Sequence, residues 1–158
     1  QGVRVCLHGT PTECRRTTSF EVLEVLGYKR LSHVEQANSG LNLVPTEILC
    51  PALKKLLDVR RVVNLRNPAH SLVKLMNPCD GHALVVSSYT HPEYLLSMSA
   101  TFALTGQHAL LLRGTEGEPV ADPRRTPAMD AFANGQAQRV QEAQAGPLAQ
   151  LRPREAGW

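Results

Sequence analysis

Gly81-His82-Ala83-Leu84-Val85-Val86 and Gly106-Gln107-His108-Ala109-Leu110-Leu111-Leu112 are two similar apolar runs, each opened by a glycine with a histidine close behind. Short continuous apolar runs are what strands buried on both faces require. Between them, Thr90 and Glu93 have the spacing of a capping box, and the segment up to about Leu104 suits a helix. Strand, helix and strand in that order predict a β-α-β unit. Parallel neighbours need a crossover of about a dozen residues or more, and this one is long enough. The fold class expected is α/β: an open, mixed, largely parallel sheet flanked by helices, with parallel strands near residues 3–7, 83–87 and 108–113.

The chain upstream fits the same class. Val3–Leu7 reads as a buried strand that runs into the turn His8-Gly9-Thr10. Thr18 and Glu21 form a capping box for a helix whose apolar face is Phe20, Leu23 and Leu26, and Gly27 suits the position just past its end. Ser32 and Glu35 predict a second box and a short helix that stops at Gly40. Leu41–Val44 is an extended run. Pro51 opens a helix through Leu53, Leu56 and Leu57. Asn67-Pro68 is a cap with proline at the first helical position, and that helix ends near Met76, before Asn77-Pro78. Downstream, residues 122–127 read as a loop. Residues 128–145 are rich in Ala and Gln and read as helical, with fraying beyond Gly146. The domains expected are an α/β domain over 1–127 and a helical or frayed tail over 128–158. The chain begins with Gln1 and enters a strand almost at once, so an N-terminal truncation is expected.

Composition narrows the classes. A chain of 158 residues with 42% hydrophobic content suits one domain, although aromatics are only 4%. No apolar run reaches the length of a membrane-spanning helix, and no membrane partner is expected. The cysteines at 6, 14, 50 and 79 lack zinc-ligand spacing, which fits reduced thiols and a cytoplasmic location. Charge is uneven. Residues 1–79 hold 11 Lys and Arg against 6 Asp and Glu, whereas residues 80–158 hold 6 against 8. The basic half is where a polyanion would bind.

Within that half, V-R-R-V-V-N-L-R-N-P over residues 59–68 brings Arg60, Arg61 and Arg66 close to helix starts. Guanidinium forks suit phosphate and carboxylate. Arg15, Arg16 and Thr17 stand beside another helix start, where unbonded N–H groups attract anions. These six residues are the expected phosphate or nucleic-acid contacts. The bland alternative is a solvated loop, with the arginines paired to Asp58 or Glu47. His8, Gly9, Thr10 and Asn77 are candidates for a substrate pocket, because open α/β sheets bind ligands at strand ends. Glu116 and Glu118 are oxygen donors of the kind Mg²⁺ prefers, in a spacing that is no metal signature by itself. There is no Walker loop, nucleophile elbow or zinc-binding H-E-x-x-H.

Over residues 2–120 the order of elements resembles the nucleoside-binding α/β domain of anthranilate phosphoribosyltransferases, glycosyltransferase family three. That family runs a strand into K-H-G-N-R and ends the next helix in D-V-L-E-A-L-G. Here the counterparts are Leu7-His8-Gly9-Thr10-Pro11 and Glu21-Val22-Leu23-Glu24-Val25-Leu26-Gly27. The family's V-R-R, L-R-T and L-N-P are matched by Val59-Arg60-Arg61, Leu65-Arg66-Asn67 and Met76-Asn77-Pro78. The departures remove function. The lysine is Leu7, the Asn-Arg is Thr10-Pro11, and the acidic metal pair becomes Glu116-Gly117-Glu118. The family's helical N-terminal domain and glycine-rich pyrophosphate loop are not in this chain.

With L-H-G-T-P-T-E and L-L-L-R-G-T-E-G-E, the sequence is similar to YbiB-type paralogues of the family. That resemblance implies a homodimeric parent, through the helical domain, that binds DNA or RNA without a cofactor. The alternative reading is a phosphoribosyltransferase of altered substrate. Its Arg66 would grip a carboxylate, and its glutamates would hold Mg²⁺.

Overall fold

A computed structural model of the chain describes residues 2–13, 16–115, 117–122 and 125–145. The fold is mixed α/β, with two compact units that divide after Pro78.

In the first unit, β1 (Val5–Gly9) and β2 (Leu41–Pro45) form a parallel pair, with His8 opposite Val44. β2 is its core strand, where Leu43 and Val44 are buried. Asn42, buried beside them, accepts from Asn38 N and donates to the carbonyls of Asn38 and Gly40. A buried amide with these bonds costs little and fixes the turn into the strand. α1 (Ser19–Val25) starts at the Thr18–Glu21 box, and Gly27 just beyond it has φ +92°. Phe20 is its buried anchor, covered by the Arg30 guanidinium at 5.2 Å, and Arg30 is held by Glu24 through bonds of 2.7 and 2.8 Å. α2 (Thr46–Leu49) leads directly into α3 (Pro51–Val63), which buries Leu57 and ends at Asn64 in the left-handed region. α4 (Ala69–Leu75) follows, with Pro68 as its N-cap one residue later than expected, and Asn67 Oδ1 accepts from Ala69 N.

One expectation in this unit needs correction. The segment after Ser32 is a single 3₁₀ turn over Val34–Gln36, and its box uses Gln36 rather than Glu35. Gln36 Oε1 accepts from Ser32 N, Ser32 Oγ and His33 N. A neutral amide one residue later reaches the same donors, and the helix does not extend to Gly40.

In the second unit, β3 (Val85–Tyr89) and β4 (Ala109–Arg113) are parallel and joined through α5 (Pro92–Thr105), as the two apolar runs predict. The helix start differs from the expected Thr90–Glu93 box. His91 is the N-cap and Pro92 sits in the first turn, where its fixed φ and missing N–H cost nothing. Gly106 closes α5 at φ +68°. β6 (Met129–Ala133) and β7 (Gln136–Gln141) extend the sheet antiparallel, in the order β3-β4-β6-β7. The short strands β5 (Arg125–Thr126) and β8 (Gln144–Ala145) form a separate pair.

The Ala/Gln-rich stretch expected to be helical is therefore a hairpin. Asn134 (φ +50°) and Gly135 (φ +79°) form its two-residue turn, which only residues tolerant of positive φ allow. Phe132 faces inward against Phe102 of α5, with ring centroids 5.4 Å apart. Core burial of Phe132 outweighs the helix propensity of alanine and glutamine. The fraying expected beyond Gly146 lies outside the described residues.

Candidate functional site

The loop after β1 and the end of α3 meet at Glu13. Arg60 Nη2 donates to Glu13 Oε2 at 2.9 Å, and Arg16 Nε lies 3.3 Å from the same oxygen. Arg61 Nη2 reaches Pro11 O at 3.5 Å, and its Nε lies 3.5 Å from Asp58. Arg66 is near enough to act on Glu13 by charge. The Arg60 hydrogen bond is the main reason the Glu13 carboxyl titrates below its ordinary range. The charges of Arg16, Arg60 and Arg66 add to it. Two guanidiniums thus share one carboxylate, on which Arg66 also acts by charge.

The arginines are not equivalent. Arg60 is the tie between α3 and the loop: its side chain is 18% exposed, and its Nη1 is buried with no hydrogen-bond partner. Arg61 and Arg66 are exposed. Both Arg60 and Arg61 lie in the last turn of α3, where cations complement the helix dipole. Thr17 is exposed beside the start of α1. Arg15 lies outside the described residues.

His8 is placed by β1 and half-buried. Its Nε2 lies 3.2 Å from Met76 O, and its Nδ1 is buried without a partner. Burial lowers its pKa, more than the Met76 bond raises it, so the ring is neutral at pH 7. Gly9 and Thr10 follow it at the strand end, and a Cβ on Gly9 would meet nothing within 4 Å. Asn77 is exposed, one residue past Met76. The His8–Met76 contact brings the strand end to the close of the α4 segment.

Glu118 belongs to the second unit, in a tight turn where its N–H donates to Thr115 O at 2.9 Å. Glu116 lies outside the described residues. Among the described residues, no three His, Cys, Asp or Glu side chains gather in a metal-binding group. No described helix is long and apolar enough to cross a membrane. Sequence reasoning missed Glu13, which organises the cluster, and His70, whose Nδ1 contacts Asn67. A carboxylate two residues before Arg15-Arg16 was the available signal for the first.

No family model matches the chain. The uncharacterized protein YbiB of Escherichia coli (strain K12) is 36% identical over 135 residues, which are 82% of this chain and 42% of that protein. Anthranilate phosphoribosyltransferase 2 of Nostoc sp. is 31% identical over 121 residues, 73% of this chain and 33% of that protein. The anthranilate phosphoribosyltransferase of Synechococcus elongatus is 29% identical over 122 residues, 73% of this chain and 35% of that enzyme. The chain spans less than half the length of the curated relatives it matches. These similarities, together with the α/β fold, relate the chain to YbiB and to the anthranilate phosphoribosyltransferases.

Proposed function

We propose that the chain is the α/β part of a transferase-like protein that binds nucleic acid through a basic groove, with its phosphoribosyl transfer site degraded. The observation that supports this most is the meeting of Arg16 and Arg60 on the single carboxylate of Glu13, with Arg61 on the neighbouring Pro11 carbonyl and the charge of Arg66 also felt there. Phosphates would find guanidiniums already assembled and only partly neutralised, and phosphate contacts give affinity without sequence preference. Exposed Arg61 and Arg66 are the residues to test, because Arg60 also holds the loop to α3. Changing both to alanine is expected to weaken binding to unrelated DNA sequences alike. The slope of log affinity against log salt should fall by about 0.9 for each duplex phosphate that the protein no longer neutralises. Fluorescence anisotropy across salt concentrations measures this. Unchanged affinity and slope would remove these two arginines from the site.

The similarity to named phosphoribosyltransferases favours a second reading, a pentosyl transferase of altered substrate in which Arg66 holds a carboxylate and Glu116 and Glu118 hold Mg²⁺. Leu7, Thr10 and Pro11 stand where the family has lysine, asparagine and arginine, and so weigh against it. Anthranilate fluorescence in the presence of phosphoribosyl pyrophosphate and Mg²⁺ separates the two. No turnover of the full-length parent is expected, and a rate on the order of 1 per second would favour the enzyme.

A further inference from the structure

The two sides of the Glu13 ion pairs are held differently. Arg60 belongs to the last turn of α3, and its own carbonyl accepts from Asn64 N at 2.8 Å where the helix closes. A helix therefore places its guanidinium. Glu13 stands between β1 and α1, where no described residue from Thr10 to Thr18 is in a helix or strand. Its Oε2 accepts from Arg60 Nη2 at 2.9 Å, and the same oxygen lies 3.3 Å from Arg16 Nε. From Glu13 the two guanidiniums thus receive one oxygen between them. Arg60 Nη1, buried on the same fork, has no hydrogen-bond partner. A guanidinium fork is matched by paired oxygens, and a phosphate can present a separate oxygen to each of two arginines. The Glu13 side chain is 30% exposed, so the place it occupies is open to solvent.

We propose that Glu13 is a built-in competitor for phosphate: its carboxylate holds the place between Arg16 and Arg60 that a nucleic-acid phosphate takes, and it swings out when a polyanion binds. This rests on the nucleic-acid reading of the arginine cluster and adds what the site rejects. A carboxylate tethered in the same chain acts at an effective concentration of millimolar order or above. A single free phosphate has no further contact to set against that. A nucleic acid brings more phosphates, for exposed Arg61 and Arg66, and those contacts offset the loss of the Glu13 pairs. The site therefore takes a chain of phosphates and refuses a lone one. Glu13 is the residue that sets this preference.

The test uses the whole chain and a labelled DNA duplex of mixed sequence, at about 0.1 M salt, where charges more than about 10 Å apart are largely screened. Glu13→Gln removes the charge and keeps an acceptor for Arg60. It is expected to bind the duplex about fivefold more tightly, the scale of one partly exposed ion pair. Glu35→Gln, the same change of charge at an exposed position of the same unit, should bind as wild type does. Inorganic phosphate at a few millimolar, exchanged for chloride at constant ionic strength, should leave wild-type binding unchanged and weaken that of Glu13→Gln. A Glu13 that only ties the loop to α3 predicts the reverse, since loosening the loop cannot tighten binding. Should Glu13→Gln fail to fold, the side-chain carboxyl carbon resonance of Glu13 in wild type decides, because saturating duplex must move it towards that of a free carboxylate. Equal or weaker duplex binding by folded Glu13→Gln, equal sensitivity of the two proteins to phosphate, or an unmoved carboxyl resonance overturns the competitor while leaving nucleic-acid binding intact. An absence of binding by both proteins, even at low salt, removes the nucleic-acid reading and the competitor together.

Discussion

Replacing Phe102 with alanine is expected to destabilise the second unit by about 4 kcal/mol, the range for an aromatic ring removed from a packed core. Phe102 is 0% exposed and packs on Phe132 of the hairpin. α5 lies against β3, β6 and β7, so a cavity there loosens the helix from both the parallel and the antiparallel parts of the sheet. The chain holds only three phenylalanines, and the third, Phe20, belongs to the first unit. Little other aromatic volume is available to collapse into the gap. Urea unfolding followed by circular dichroism measures the change. Leu104→Ala on the same helix is the control, because Leu104 is 88% exposed and its truncation should change stability by less than about 0.5 kcal/mol. Equal effects of the two substitutions would show that Phe102 is not the keystone of this core.

Gly114→Ala should have a comparable effect by the opposite route. A Cβ at this position would lie 2.7 Å from Ser88 Cβ and 2.8 Å from Ser88 Oγ, and would overlap the main-chain oxygen of Glu118. Ser88 is buried in β3, and the Glu118 oxygen belongs to the backbone of the 115–118 turn, so neither neighbour can swing away as a long side chain could. Overpacking of this kind costs about 3 kcal/mol. For a unit of this size, that corresponds to a fall of roughly 12 °C or more in its melting temperature. Gly81→Ala, where a Cβ meets nothing within 4 Å, should melt within a few degrees of wild type. A folded Gly114→Ala protein with wild-type melting would mean that the turn at Glu118 yields freely.

The β-α-β unit was legible because short continuous apolar runs such as 109–112 suit buried strands, and because Gly106 and Pro92 mark the helix ends. The Thr18–Glu21 box was legible because its signal is local. The hairpin at 129–141 was obscured by composition: alanine and glutamine favour helices, whereas the decisive residue, Phe132, acts only through its distant partner Phe102. Asn134-Gly135 between the two strands was the local signal that outranks propensity. At the site, the arginines were visible by type and spacing. Their division into a structural tie, Arg60, and exposed members, Arg61 and Arg66, depends on Glu13, which stands 47 residues away from Arg60 in sequence.

The Asn134-Gly135 turn also bears on the order in which the chain assembles. Its two residues already occupy the backbone region the hairpin needs, so β6 and β7 meet by closing the shortest of loops, an event of about 1–10 μs. β1 and β2 must instead find each other across the whole stretch from Gly9 to Leu41, with a helix and a 3₁₀ turn between them. The entropy of that closure is spent before any parallel ladder returns it. The antiparallel half thus has a local nucleus. The bond from Arg60 to Glu13, which ties α3 to the loop after β1, is one more contact across a long stretch of sequence, and it belongs with the slow, non-local part of assembly.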